Sequence, residues 1–259
     1  MPSIGSLRAL RAGAGAAPSA HPFAGFGDPM LDGATDTPAP RSFAQVRSGV
    51  SGDLRSVIKS FPKLPGTRSE LQNLARTLGA GDASLWLGDR ATEDAVKAAN
   101  LANTSVIAFA THGLLAGEIG PVAEPALVMT PPAASDAAND GLLLASEAAS
   151  LKMNADWIIL SACNTAAPDG RASNEGLSGL ARGFFSAGAR ALLVSHWRVR
   201  DDIVERLTVG TLARWKSGSS PNRATALQAA MLAMIDDPAY PELANPAYWA
   251  PFVVAGDGR

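Results

Sequence analysis

The chain has 259 residues, 47% of them hydrophobic and 18% charged, and a formal net charge of −2. Those figures describe a soluble globular protein with a substantial core, sized for one large α/β domain or two small ones. They exclude a basic footprint for nucleic acid or an anionic membrane surface, and no apolar run approaches the roughly 18 residues that cross a bilayer.

The opening "MPSIGSLRALRAG" lacks the continuous apolar segment of a signal peptide. A single cysteine forms no internal disulfide, which fits a reducing compartment, so the expected location is cytoplasmic. That cysteine and three scattered histidines have no metal-ligand spacing, and no GxGxxG or GxSxG pattern occurs, so neither metal nor cofactor is expected. "NTS" at Asn103 matches a glycosylation acceptor, a chance match in a cytosolic chain.

Residues 1–66 are rich in Gly, Ala, Pro and Ser. They read as a lead-in with one strand-like island, "PFAGFGDP", ahead of the main domain at 67–259. "TRSE" predicts a capping box, with Thr67 and Glu70 satisfying the first amides of a helix. Leu71, Leu74, Ala75 and Leu78 carry that helix to about Gly79. "ASLWLG" predicts a strand and "TEDAVKAAN" a helix capped by Thr92. "SVIAFATHG" is a β-branched, apolar run ending at His112 and Gly113, and "PALVM" is a second apolar run. "LLLASEAASL" reads as helical. "DWIILSACNT" is a buried strand with Cys163 at its exit, and "EGLSGLARGFFSAG" is a helix burying Leu177, Leu180, Ala181 and Phe184. "ARALLVSHW" is another strand. Two helices follow, the second with Leu227, Ala230, Met231 and Met234 on one face, and "PFVVAG" closes the chain as a strand.

Apolar strands alternating with helices predict an α/β fold whose mostly parallel sheet is covered on both sides. In such sheets chemistry gathers beyond the carboxyl ends of the strands, where His112 and Cys163 both stand. Imidazole has the pKa to take a thiol proton. Cys163 lies 51 residues after His112, the caspase layout of a histidine about 50 residues upstream of the cysteine. A lone cysteine on a strand is commonly inert packing. Against that, Cys163 runs into the polar, turn-forming "NTAAPDG", and Gly113 lets a substrate approach the backbone closely.

"VIAFATHG", "DGLLLASEAASL", "WIILSACNT", "NEGLSGLARGFFSAGARALLVSHWRV" and "NPAYWAPFVVAGD" occur in this order. Together they closely resemble the CHAT domain, a bacterial caspase- and separase-like cysteine peptidase family often coupled to helical repeats. The resemblance runs from about Pro65 to Asp257, and "PSIGSLRALR" and "FAGFGDP" resemble earlier pieces of the same domain. It implies a caspase-like three-layer sandwich, and a chain that opens partway into the usual N-terminal region without the repeats. It implies a cysteine endopeptidase in which His112 is the general base and Cys163 the nucleophile, with no side chain required as a third member. The amides of Gly113 and Cys163 would form the oxyanion hole. The implied partners are a protein substrate and a regulatory helical-repeat protein, with neither nucleic acid nor membrane. The alternative is a catalytically silent scaffold that keeps the fold to bind a partner.

Other residues keep two readings. Asn164 is a dyad neighbour or finishes the turn; Glu175 contacts substrate or complements a helix N-terminus. Trp197 and Arg198 line the substrate groove, or Trp197 caps the core, and His196 beside them is a remote catalytic candidate. Ala166 departs from the glycine that many family members carry there. Asp201 matches the Trp-to-Asp spacing of "LWxVxD". By resemblance it selects a basic side chain before the cut; by local pattern it, or better Asp202, caps the helix that follows.

Overall fold

A computed structural model of the chain describes residues 19–33, 53–119, 122–134, 139–161, 179–197 and 199–258. Its centre is a six-stranded sheet in the order β2-β1-β3-β7-β8-β9. These strands are β1 (His21–Pro29), β2 (Leu85–Gly88), β3 (Thr104–Ala110), β7 (Trp157–Leu160), β8 (Ala191–Ser195) and β9 (Phe252–Gly256). All neighbours run parallel except β9, which pairs antiparallel with β8 at the edge. The strand-like island of the lead-in is therefore an interior strand, flanked by β2 and β3.

Side chains alternate across the sheet with the two-residue period of a strand. Phe26, Ile107, Phe109, Ile158, Leu160, Leu192 and Val194 face one core. That side is covered by α3 (Glu93–Ala98), α4 (Ala145–Ser150) and α5 (Gly179–Ala187). Phe23, Val106, Trp157, Ile159 and Leu193 face the other. There the cover is α2 (Pro65–Leu78), α6 (Asp201–Lys216) and α7 (Arg223–Ile235). Both faces are buried, so the middles of these strands are apolar. The result is a three-layer α/β sandwich of the caspase-like kind.

A second, antiparallel sheet joins β4 (Gly113–Leu114), β5 (Ala126–Val128) and β6 (Leu142–Leu144). It packs with Ile58 of α1 (Leu54–Lys59) and with Phe61 in a third apolar cluster. Here the sequence reading needs correction, because "LLLASEAASL" is strand and then helix. Leu142 and Leu143 are fully buried against β5. Glu147 accepts a hydrogen bond from the Leu144 amide, so the helix begins only at Ala145.

The expected capping box is also corrected. Helix α2 starts two residues earlier, at Pro65, a residue suited to the first turn because it has no amide to satisfy. Thr67 donates to the Leu64 carbonyl, and Glu70 is turned into the protein at 3% exposure. Among the described residues no helix is long and apolar enough to cross a membrane.

Candidate functional site

β3 and β7 are adjacent and parallel, pairing Val106 with Trp157 through to Phe109 with Leu160, an offset of 51 residues throughout. Ser161 extends the ladder, its amide donating to the Phe109 carbonyl at 3.0 Å. The His112–Cys163 spacing equals this offset. The described part of β7 ends short of Cys163, which lies outside the described residues, as do Asn164, Ala166, Glu175, Leu177 and Arg198.

His112 sits between the two sheets, at 1% exposure. Thr111 donates its hydroxyl to the Val128 carbonyl, and the Val128 amide donates to the His112 carbonyl at 2.9 Å, so the backbone here is clamped to β5. That bond makes Gly113 and Leu127 a non-hydrogen-bonded pair, which turns the Gly113 amide away from β5. The ring Nε2 lies 2.8 Å from the Pro62 carbonyl. A carbonyl only accepts, so Nε2 carries the proton, and in the neutral ring Nδ1 holds the basic lone pair. Phe61 packs against the same ring at 5.5 Å.

The segment that carries Pro62 is held in turn. Gly33 bridges Pro62 and donates to the Phe61 carbonyl at 3.1 Å, and Asp32 donates to the Lys59 carbonyl at 2.7 Å. A Cβ on Gly33 would overlap the Ser60 and Phe61 carbonyls. The sequence points to no third side chain beside the expected His112–Cys163 pair, and the group that meets His112 Nε2 is a backbone oxygen, which no residue type signals.

His112 lines a narrow cavity of about 30 Å³, room for one or two water-sized groups. The ends of β3, β7 and β8 contribute Thr111, Ser161 and Ser195, and the starts of α2 and α6 contribute Thr67, Glu70 and Asp201. The structure thus brings Asp201 to the same cavity as His112. Neither Asp201 nor Asp202 caps α6: the cap is Arg200, without a side-chain bond, and Asp202 pairs with Arg200 at 2.8 Å. Asp201 instead accepts from the Gly66 amide, at 3.3 Å, across the helix interface. A Cβ on Gly66 would overlap the Asp201 Cβ, so glycine permits this approach.

Trp197 is not brought to the cavity and does not cap the core. It is 43% exposed, with its indole N–H donating to the Ala247 carbonyl. His196 is also exposed, and its amide donates to the Pro251 carbonyl.

Glu70 is the residue that sequence reasoning misread. Burial pushes its carboxyl up to about 7, against the hydrogen bonds from Ser161 and Thr208 that favour the charged form; Asp201 and Glu205 raise it further. Both hydroxyls meet the same oxygen, Oε1. Three residues after Thr67 it reads as a capping-box partner, but the fold packs α6 over it and turns it inward. No group of three or more His, Cys, Asp or Glu side chains among the described residues is arranged to hold a metal ion.

The family model described as the CHAT domain matches residues 1–257. The match takes in the whole of the lead-in, so β1 and α1 fall within it. Comparison with curated proteins gives no match.

Proposed function

The chain belongs to the CHAT domain family, a caspase-like family, and from that premise we propose that it is a cysteine endopeptidase working through His112 and Cys163. The observation that carries this reading is the shared offset: two adjacent parallel strands are paired in a 51-residue register, and the sequence places His112 and Cys163 the same 51 residues apart, just after them.

In this reading the Cys163 thiol passes its proton to His112 Nδ1, and the thiolate attacks the scissile carbonyl carbon. The Gly113 and Cys163 amides donate to the oxyanion of the tetrahedral intermediate, each worth about 10²–10³ in rate. His112 then protonates the departing amine, leaving a thioester. Water hydrolyses the thioester, with His112 taking the water's proton and the thiol re-forming. The Pro62 carbonyl keeps the imidazole in the tautomer that this sequence of transfers needs.

Asp201 selects a basic side chain before the cut, supported by its place in the cavity that His112 lines. A helical-repeat partner presents the substrate, and the protein works in the cytoplasm on proteins, without metal or cofactor. The test is digestion of a peptide library, with and without candidate helical-repeat partners, alongside labelling by a thiol-directed probe. An activated Cys163 labels fast near neutral pH, whereas a packing cysteine does not. Slow labelling and no cleavage under any partner would establish the silent scaffold instead.

A further inference from the structure

We infer that Glu70 is a second specificity-determining carboxylate of the Asp201 pocket, and that the pocket selects lysine over arginine. The inference rests on the basic-residue reading above and refines it. Its starting point is geometry: Glu70 and Asp201, from two different helices, line one cavity beside His112. Glu70 is 3% exposed, and the Ser161 and Thr208 hydroxyls both meet it at Oε1.

The size of the cavity decides between the two basic side chains. About 30 Å³ has room for one or two groups, each the size of a water molecule. An ammonium is that compact, and it has three donors to spread over the Glu70 and Asp201 carboxylates and the Ser161 or Ser195 hydroxyl. A planar guanidinium, whose five donors suit an open bidentate face, needs a wider slot. Asp201 alone, at the cavity wall, would accept either cation. It is the buried second carboxylate that rewards the smaller head group for going deeper.

A consequence separates this role from mere packing. Glu70 holds its proton below about pH 7, so an entering ammonium must displace it, and lysine binding tightens as the pH rises through 7. The charged or titratable groups around Glu70 are Asp201 and Glu205 on α6 and His112 beyond β3. All three remain in a Glu70→Gln variant, so a comparison with it isolates Glu70.

The experiment uses the full chain with Cys163→Ala, titrated calorimetrically with the N-acetyl methylamides of lysine, arginine and norleucine at pH 6, 7 and 8. The expected result is lysine bound about tenfold or more over arginine, with norleucine weakest. Lysine affinity should rise by up to about tenfold per pH unit below 7 and then level off. Adding Glu70→Gln should remove the pH dependence and cut lysine affinity by roughly 10- to 100-fold, the scale of a lost charge-assisted hydrogen bond. Adding Asp201→Asn should weaken lysine and arginine together. Arginine bound as well as lysine, or an unchanged lysine profile in the Glu70→Gln variant, overturns this inference and leaves the basic pocket standing. Norleucine bound as tightly as both cations overturns the basic pocket itself.

Discussion

Glu70→Gln in the otherwise unaltered chain should make the protein more stable at alkaline pH and leave it nearly unchanged in acid. The buried carboxyl titrates near 7 in the folded protein against an ordinary value of 4.5. Between those two values the folded state binds more protons than the unfolded state, so stability falls as the pH rises through this window. A rise of that size corresponds to about 3 kcal/mol, absent below pH 4.5 and fully present above about 7. Glutamine keeps an oxygen for the Ser161 and Thr208 hydroxyls and cannot ionise. Thermal unfolding of wild type and variant at pH 5, 6, 7 and 8 reads the effect, since every other titrating group is common to both. The variant should gain roughly 6–12 °C on wild type between pH 5 and 8. A difference that stays constant across this range would refute the reasoning, because it would mean that water reaches Glu70 and ionises it at no cost.

Cys163→Ala and His112→Ala should each abolish cleavage of any substrate the wild type cuts. The double variant should be no worse than either single one, because in the proposed dyad the two act as a unit; near-wild-type turnover by Cys163→Ala would end the peptidase reading. Gly66→Ala should cost about 1–3 kcal/mol in urea unfolding, because its methyl overlaps the Asp201 Cβ and forces α2 and α6 apart. It should also weaken the preference for a basic side chain, and an unchanged preference in a folded variant would detach Asp201 from selection. Gly33→Ala should displace the Ser60 and Phe61 carbonyls and, through the adjoining backbone, the Pro62 carbonyl that meets His112. A fall in kcat of about 10²-fold is the scale for a misplaced catalytic group, and an unchanged kcat would show that the Pro62 contact is dispensable.

Much of the fold was legible in the chain because its signals are local. Strands β1, β3, β7 and β8 are contiguous apolar runs, since burial on both faces leaves no polar alternation to blur them. Thr92 caps α3 through the Ala95 amide, as its place before "EDAVKA" predicts. His112 and Cys163 are legible because histidine and cysteine are rare here and each follows an apolar run in the sequence. What the sequence left undecided depends on partners distant in the chain. Leu142–Leu144 is a strand only because β5 is there to pair with it, and Glu70 faces inward only because α6, from the far half of the chain, closes over it. The register that gives the His112–Cys163 spacing its meaning, and the Pro62 carbonyl that holds His112, are backbone properties. Local propensity acts through side chains and near neighbours, whereas these features arise when separated segments compete for the same buried space, and only the tertiary structure resolves that competition.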